Sequence, residues 1–159
     1  PETRIGDANF LDHPHRGMTT GQTGGIGSGC VIYPCTMGGL SDKIKVRHPQ
    51  IGDYVLIGTD TKLLGPVHIG DRSTVGTGTE ILGNVKTGSG CQIASLVVIG
   101  TVLAGSKPPG GIRLEDSVRV GDGTIIENVT EHDLVIPKNT EIPARSHVMN
   151  DGSGNPKFV

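Results

Sequence analysis

Tryptophan is missing from this chain, and aromatic residues make up only 3% of it. With almost no rings to bury, the core must be built from Ile, Val, Leu and Thr, which calls for a narrow interior. No apolar run approaches the ~20 residues a membrane-spanning helix needs, and no stretch has the form of a signal peptide. Neither sign of charge dominates: 14 Lys and Arg stand against 16 Asp and Glu, for a formal net charge of −2. There is therefore no electrostatic case for nucleic acid or an anionic membrane as partner. The three cysteines, Cys30, Cys35 and Cys91, are too few and odd in number for a disulfide framework. They read as reduced thiols, and the expectation is a cytoplasmic protein. No stretch carries convincing helix caps.

Glycine is what the chain has in excess: 26 of 159 residues, roughly twice the usual ~7%. Scattered at random, that much glycine would suggest disorder, but here it keeps time with a repeat. From Arg47 to Gly83, large apolar residues recur every six positions at Ile51, Ile57, Leu63, Ile69, Val75 and Ile81. Gly52, Gly58, Gly70 and Gly76 follow four of these anchors, and Val55, Thr61, Val67, Ser73, Thr79 and Val85 stand four positions after each. A period of six belongs neither to an amphipathic helix nor to a plain strand. A repeat this short marks a parallel β-helix or solenoid.

Each unit then supplies a short strand and a turn, and three units close one triangular coil. Anchors stack coil on coil at about 4.8 Å, a packing that stiff β-branched side chains suit. The glycines are expected to take up unusual backbone angles at the corners. The anchors run on through Thr87, Ile93 and Ile99, return at Val120, Ile126, Ile136, Ile142 and Val148, and have forerunners at Ile5, Leu11, Ile26 and Ile32. Cys30 and Cys91 fall four positions after Ile26 and Thr87 and read as small core filler.

The period breaks at residues 12–21, 40–50 and 105–111. Such interruptions are expected as loops extruded at one corner of a rigid coil, where function concentrates. The first two gather chemistry: Asp12, His13, His15 and Arg16 in one, Arg47 and His48 in the other. The domain reading is a β-helix over residues 1–150, with residues 151–159 a flexible C-terminal tail.

At these motifs the chain resembles a known family. The repeat is similar to that of the left-handed β-helix hexapeptide acyltransferases. Three motifs look like serine O-acetyltransferase: Leu11-Asp12-His13, Thr36-Met37-Gly38-Gly39, and Arg47-His48-Pro49-Gln50-Ile51-Gly52-Asp53, the last followed by in-register repeats to Gly83. The resemblance implies an all-β fold, a left-handed parallel β-helix with extruded loops. It implies transfer of an acetyl group from acetyl-CoA to a small hydroxyl acceptor, serine first, by direct attack and without a metal. His13 would be the general base, because an imidazole suits proton abstraction near neutral pH. Asp12 would contact the acceptor. Arg47 would grip its carboxylate through two hydrogen bonds, with His48 beside it.

The same resemblance implies a homotrimer, with CoA in the groove between subunits against backbone groups of Gly39, Thr59 and Thr77. An Asp that orients the imidazole in the family would fall before Pro1. Cysteine synthase is the partner implied. Family members dock to it through an Ile-ending tail, where this chain ends in Val159. Two alternatives stay open: an O-acetyltransferase for sugars or other small molecules with the same base and groove, and an inactive solenoid scaffold. A γ-type carbonic anhydrase would need two zinc-binding histidines five residues apart, but five residues after His48 stands Asp53.

Overall fold

The computed structural model describes residues 3–13, 17–40, 45–101 and 109–159. Every regular element among them is a β-strand, and the strands stack into three parallel sheets around a solenoid of about six turns. The architecture matches the left-handed β-helix. Each coil contributes one strand to each sheet. In the middle of the molecule the first sheet holds Gln50–Ile51 and His68–Ile69, the second Leu56–Ile57 and Thr74–Val75, and the third Lys62–Leu64 and Glu80–Leu82. Ile51 lies beside Ile69, Ile57 beside Val75 and Leu63 beside Ile81. Partners are thus three six-residue units apart, which is the period read from the chain.

The anchors make the core. Ile57, Leu63, Ile69, Val75, Ile81 and Ile99 are fully buried, as are Ile126, Ile136 and Val148 in the later coils. Burying a side chain of this size stabilises by about 1.5–3 kcal/mol. Ile5 is the exception: its strand, Arg4–Ile5, pairs on one side only, and the side chain is exposed.

The companion positions are buried too, and where they are polar they close a hydrogen bond to a carbonyl in the next coil. Thr61 Oγ1 donates to Gly76 O at 3.1 Å, Ser73 Oγ to Gly88 O at 3.2 Å and Thr79 Oγ1 to Ala94 O at 2.8 Å. Cys30 Sγ and Cys91 Sγ make the same bond, each at 3.2 Å, to Gly52 O and Glu115 O. The two thiols are therefore hydroxyl substitutes as well as filler. Thr87, the one anchor from Ile51 to Ile99 that is not aliphatic, accepts the N–H of Gly70 at 3.1 Å.

Two expectations about the corners are corrected. The glycines that follow the anchors are not there for unusual backbone angles. The left-handed corner positions are taken by other glycines, such as Gly29, Gly78 and Gly90 with φ between 67 and 70°, and equally by Tyr54, Asp60, Arg72 and Leu96, with φ between 55 and 58°. Gly58 and Gly76 are required by close approach between coils: a Cβ on Gly58 would lie 2.7 Å from Thr77 N, and one on Gly76 2.5 Å from the Ala94 carbonyl carbon. Nor do the interruptions share one corner. The one at 12–21 begins where the second sheet gives way to the third. Those at 40–50 and 105–111 separate the third sheet from the first.

Residues 151–159, read from composition as a flexible tail, fold back as a hairpin. Pro156–Phe158 pairs antiparallel with His147–Asn150. The Asn150 side chain accepts the N–H groups of Gly152 and Gly154 at 3.0 and 2.9 Å, which folds the Asp-Gly-Ser-Gly turn.

Candidate active site

The second sheet begins with Phe10–Leu11, and the corner that follows carries the first cluster. Asp12 N donates to Ile32 O at 2.9 Å, which ties the corner to the coil above. His13 comes next with φ 44°, a left-handed conformation. Its side chain is 64% exposed, with Nε2 3.7 Å from Asp12 Oδ2. His15, Pro14 and Arg16 lie outside the described residues.

Thr59 and Thr77 occupy the same corner, on successive coils. Thr59 O accepts Gly78 N at 2.8 Å, and Thr77 O accepts Leu96 N at 3.0 Å. Both carbonyls thus help to hold successive coils together at this corner.

The second cluster forms at the corner between the third and first sheets. His48 is buried, 7% exposed, with Nδ1 2.7 Å from Thr23 Oγ1. Thr23 Oγ1 also accepts the Arg47 backbone N–H at 3.3 Å, and Gln50 Nε2 donates to Thr23 O at 2.7 Å. Two segments far apart in the chain, residues 21–25 and 47–50, are thus fastened through one threonine. Gly21 and Gly39 flank the ring. A Cβ on Gly21 would overlap the His48 imidazole, and one on Gly39 would stand 3.1 Å from His48 Nε2 and 3.0 Å from Arg47 Cγ. Burial, and then the neighbouring Arg47 charge, hold the His48 imidazole below its ordinary pKa. Beside it opens a cleft of about 500 Å³ lined by Val46, His48, Gln50, Pro66, Val67 and His68, with Lys86 at its edge.

The structure thus brings Arg47, His48 and Gly39 together, and separately places Asp12, His13, Thr59 and Thr77 along another corner. The two corners bound the third sheet, and a six-residue extended unit spans at most ~20 Å. Gly39 does not join Thr59 and Thr77 on one chain. Sequence reasoning missed Gly21 and Thr23. Nothing in their spacing ties them to a histidine 25 positions later, and Gly21-Gln22-Thr23-Gly24-Gly25 looks like turn material. Among the described residues, no three His, Cys, Asp or Glu side chains gather as a metal site.

The solenoid is built from six-residue units, three to a coil. Residues 48–83 match the family described as bacterial transferase hexapeptide (six repeats). Within that class the chain is most like the serine O-acetyltransferases. It is 35% identical over 122 residues to a serine acetyltransferase of Staphylococcus aureus, a match that covers 76% of this chain and 50% of that protein. It is 41% identical over 70 residues to the serine acetyltransferase of Staphylococcus epidermidis, covering 43% of this chain and 32% of that one. The chain therefore spans half or less of these relatives. Among solved structures, serine acetyltransferase isoform 3 of Entamoeba histolytica, crystallised with cysteine, is 34% identical. The alignment covers 67% of this chain and 35% of that one, with a TM-score of 0.39.

Proposed function

We propose that the protein transfers the acetyl group of acetyl-CoA to the side-chain hydroxyl of serine. The observation that carries this reading is the second cluster: a buried imidazole held by Thr23, with the Arg47 backbone bonded to the same threonine and its side chain beside Gly39. Arg47 supplies a fork of donors for a carboxylate. His48 supplies a neutral ring that adds no competing charge. The likeness to proteins named serine acetyltransferase supports the choice of acceptor.

In this reading His13 removes the hydroxyl proton as the serine oxygen attacks the thioester carbonyl. The tetrahedral intermediate collapses, the acetyl group stays on the serine oxygen, and CoA leaves as the thiol with the proton His13 took. Attack is direct, with no covalent acyl-enzyme. Because His13 and Arg47 sit at different corners of one chain, the acceptor is held between copies. The His13 corner of one protomer faces the Arg47–His48 corner of its neighbour in a homotrimer. CoA then lies in the groove between them, along the Thr59–Thr77 corner.

The test is release of CoA thiol with serine, with a sugar acceptor and with none. Serine-dependent release is expected, lowered ~10²–10⁴-fold in kcat by His13→Ala. Mixing His13→Ala and Arg47→Ala subunits under exchange conditions is expected to restore part of the activity, since some shared sites then hold both residues. No acceptor-dependent release from the wild type removes the reading. Release without complementation removes the shared site.

A further inference from the structure

Charges on the outer faces of the three sheets follow different rules. On the third sheet opposite charges meet across neighbouring strands: Lys62 pairs with Glu80 in register, and Glu127 Oε1 lies 2.7 Å from His147 Nε2 on the diagonal. On the second sheet Arg119 lies in register with Glu141. The first sheet breaks the pattern. His68 is in register with Lys86, and Lys86 with Arg113, with no acid between them. Stacked at the inter-strand spacing of about 4.8 Å, like charges directly beside one another are destabilising. All three side chains are exposed, and none is in an ion pair among the described residues.

The ladder is not on a flat wall. His68, Lys86 and Arg113 line a cleft of about 540 Å³ together with Lys138, Glu115 and Asp116. Both acids are engaged with the backbone. Glu115 Oε2 accepts Lys138 N at 2.9 Å, and Asp116 Oδ1 accepts Ser89 N at 2.8 Å. Both acids keep their charge, but Lys86, Arg113 and Lys138 outnumber them, so the cleft is positive on balance.

We propose that this cleft binds the phosphate groups of a small molecule. Two rungs of the ladder separate His68 from Arg113 by about 10 Å, a length that a diphosphate with a further phosphate can bridge. An anion laid along it would turn the repulsion between Lys86 and Arg113 into two attractions, with Arg113 giving bidentate contacts, Lys86 a point charge and His68 a ring nitrogen at the end of the row. Within one chain the first sheet faces away from the Thr59–Thr77 corner, which lies between the other two sheets. The inference does not rest on the acetyl-transfer reading. The phosphates could be those of CoA reaching in from a neighbouring groove or those of a separate phosphorylated metabolite.

Titration calorimetry with inorganic pyrophosphate and with CoA tests it. Wild-type protein is expected to bind pyrophosphate saturably, with affinity falling as salt rises. Lys86→Gln with Arg113→Gln is expected to weaken it by tenfold or more. Lys62→Gln, on the third sheet, is the control and leaves it unchanged. Circular dichroism melts confirm that each variant is folded. If CoA binding weakens in parallel, its phosphates are the occupant. If only pyrophosphate weakens, the ligand is a separate phosphorylated molecule. Absence of saturable pyrophosphate binding, or equal binding by the double variant and the wild type, overturns the proposal.

Discussion

His48 shows how much one side chain depends on its setting. Its Nδ1 is taken by Thr23, its edge is against Gly21, and its charge is opposed by burial and then by Arg47. The folded-state pKa is lowered, so between that value and the ordinary ~6.5 the unfolded chain binds the proton and the native one does not. Stability from this group is therefore complete above pH ~6.5 and is lost as pH falls through that window. Urea unfolding from pH 7.5 down to 5 should show a steeper acid loss for wild type than for His48→Gln. Gly21→Ala should be more damaging than its single methyl suggests. Displacing the ring costs about 1–3 kcal/mol of overpacking strain, read as a lower urea midpoint, and should raise KM for serine. The thiols answer to the same physics. Burial alone pushes Cys35 up to about 11, and it is the leading cause of the upward shift at Cys30 and Cys91. All three should react with a disulfide reagent at pH 7.5 only as fast as the protein opens, because the thiolate is the nucleophile.

A single coil is two to four residues of strand and a corner, three times over, and none of those strands could stand alone. What makes it an element is the pair of positions that repeat inside it: an aliphatic anchor and a small companion. Their chemistry separates two kinds of damage. Leu63→Ala removes buried volume from a stack that cannot collapse sideways and should cost about 2–5 kcal/mol. Thr79→Val keeps the volume but strands Ala94 O and Val97 N, which the hydroxyl now bonds at 2.8 and 3.3 Å. That should cost about 1–3 kcal/mol. Chemical denaturation of the two variants measures both. The anchors were legible in the chain because stacking demands an identical side-chain class at every return. The corner conformations were not. A left-handed turn is taken by Tyr54, Asp60, Arg72 and Leu96, four residue types with nothing in common, since the coils above and below impose the angle.

At the scale of the whole molecule, the three sheets end in rows of unpaired backbone groups, the hazard of any open sheet edge. The third sheet is closed by its own chain, through the antiparallel strand Pro156–Phe158. Removing residues 151–159 should expose that edge and leave Asn150, now bonded to Asn128, Gly152 and Gly154, short of partners. The expected result is earlier aggregation on heating, followed by light scattering, with little change in strand content by circular dichroism. The association of copies belongs to this scale as well. Two corners that one chain cannot bring together call for a neighbour, and a trimer mass by light scattering is the expected outcome.

The six-residue period alone determined the architecture, the identity of the core and the places where the coil would be interrupted, because a solenoid's interior is written in consecutive, local positions. Tertiary structure decided the rest: that Thr23 reaches His48, that the Asp12–His13 and Arg47–His48 pairs stand at different corners, and that His68, Lys86 and Arg113 line up on one face. Those juxtapositions depend on how many residues each excursion adds before the chain re-enters register. Only the closed stack of coils turns such lengths into neighbours.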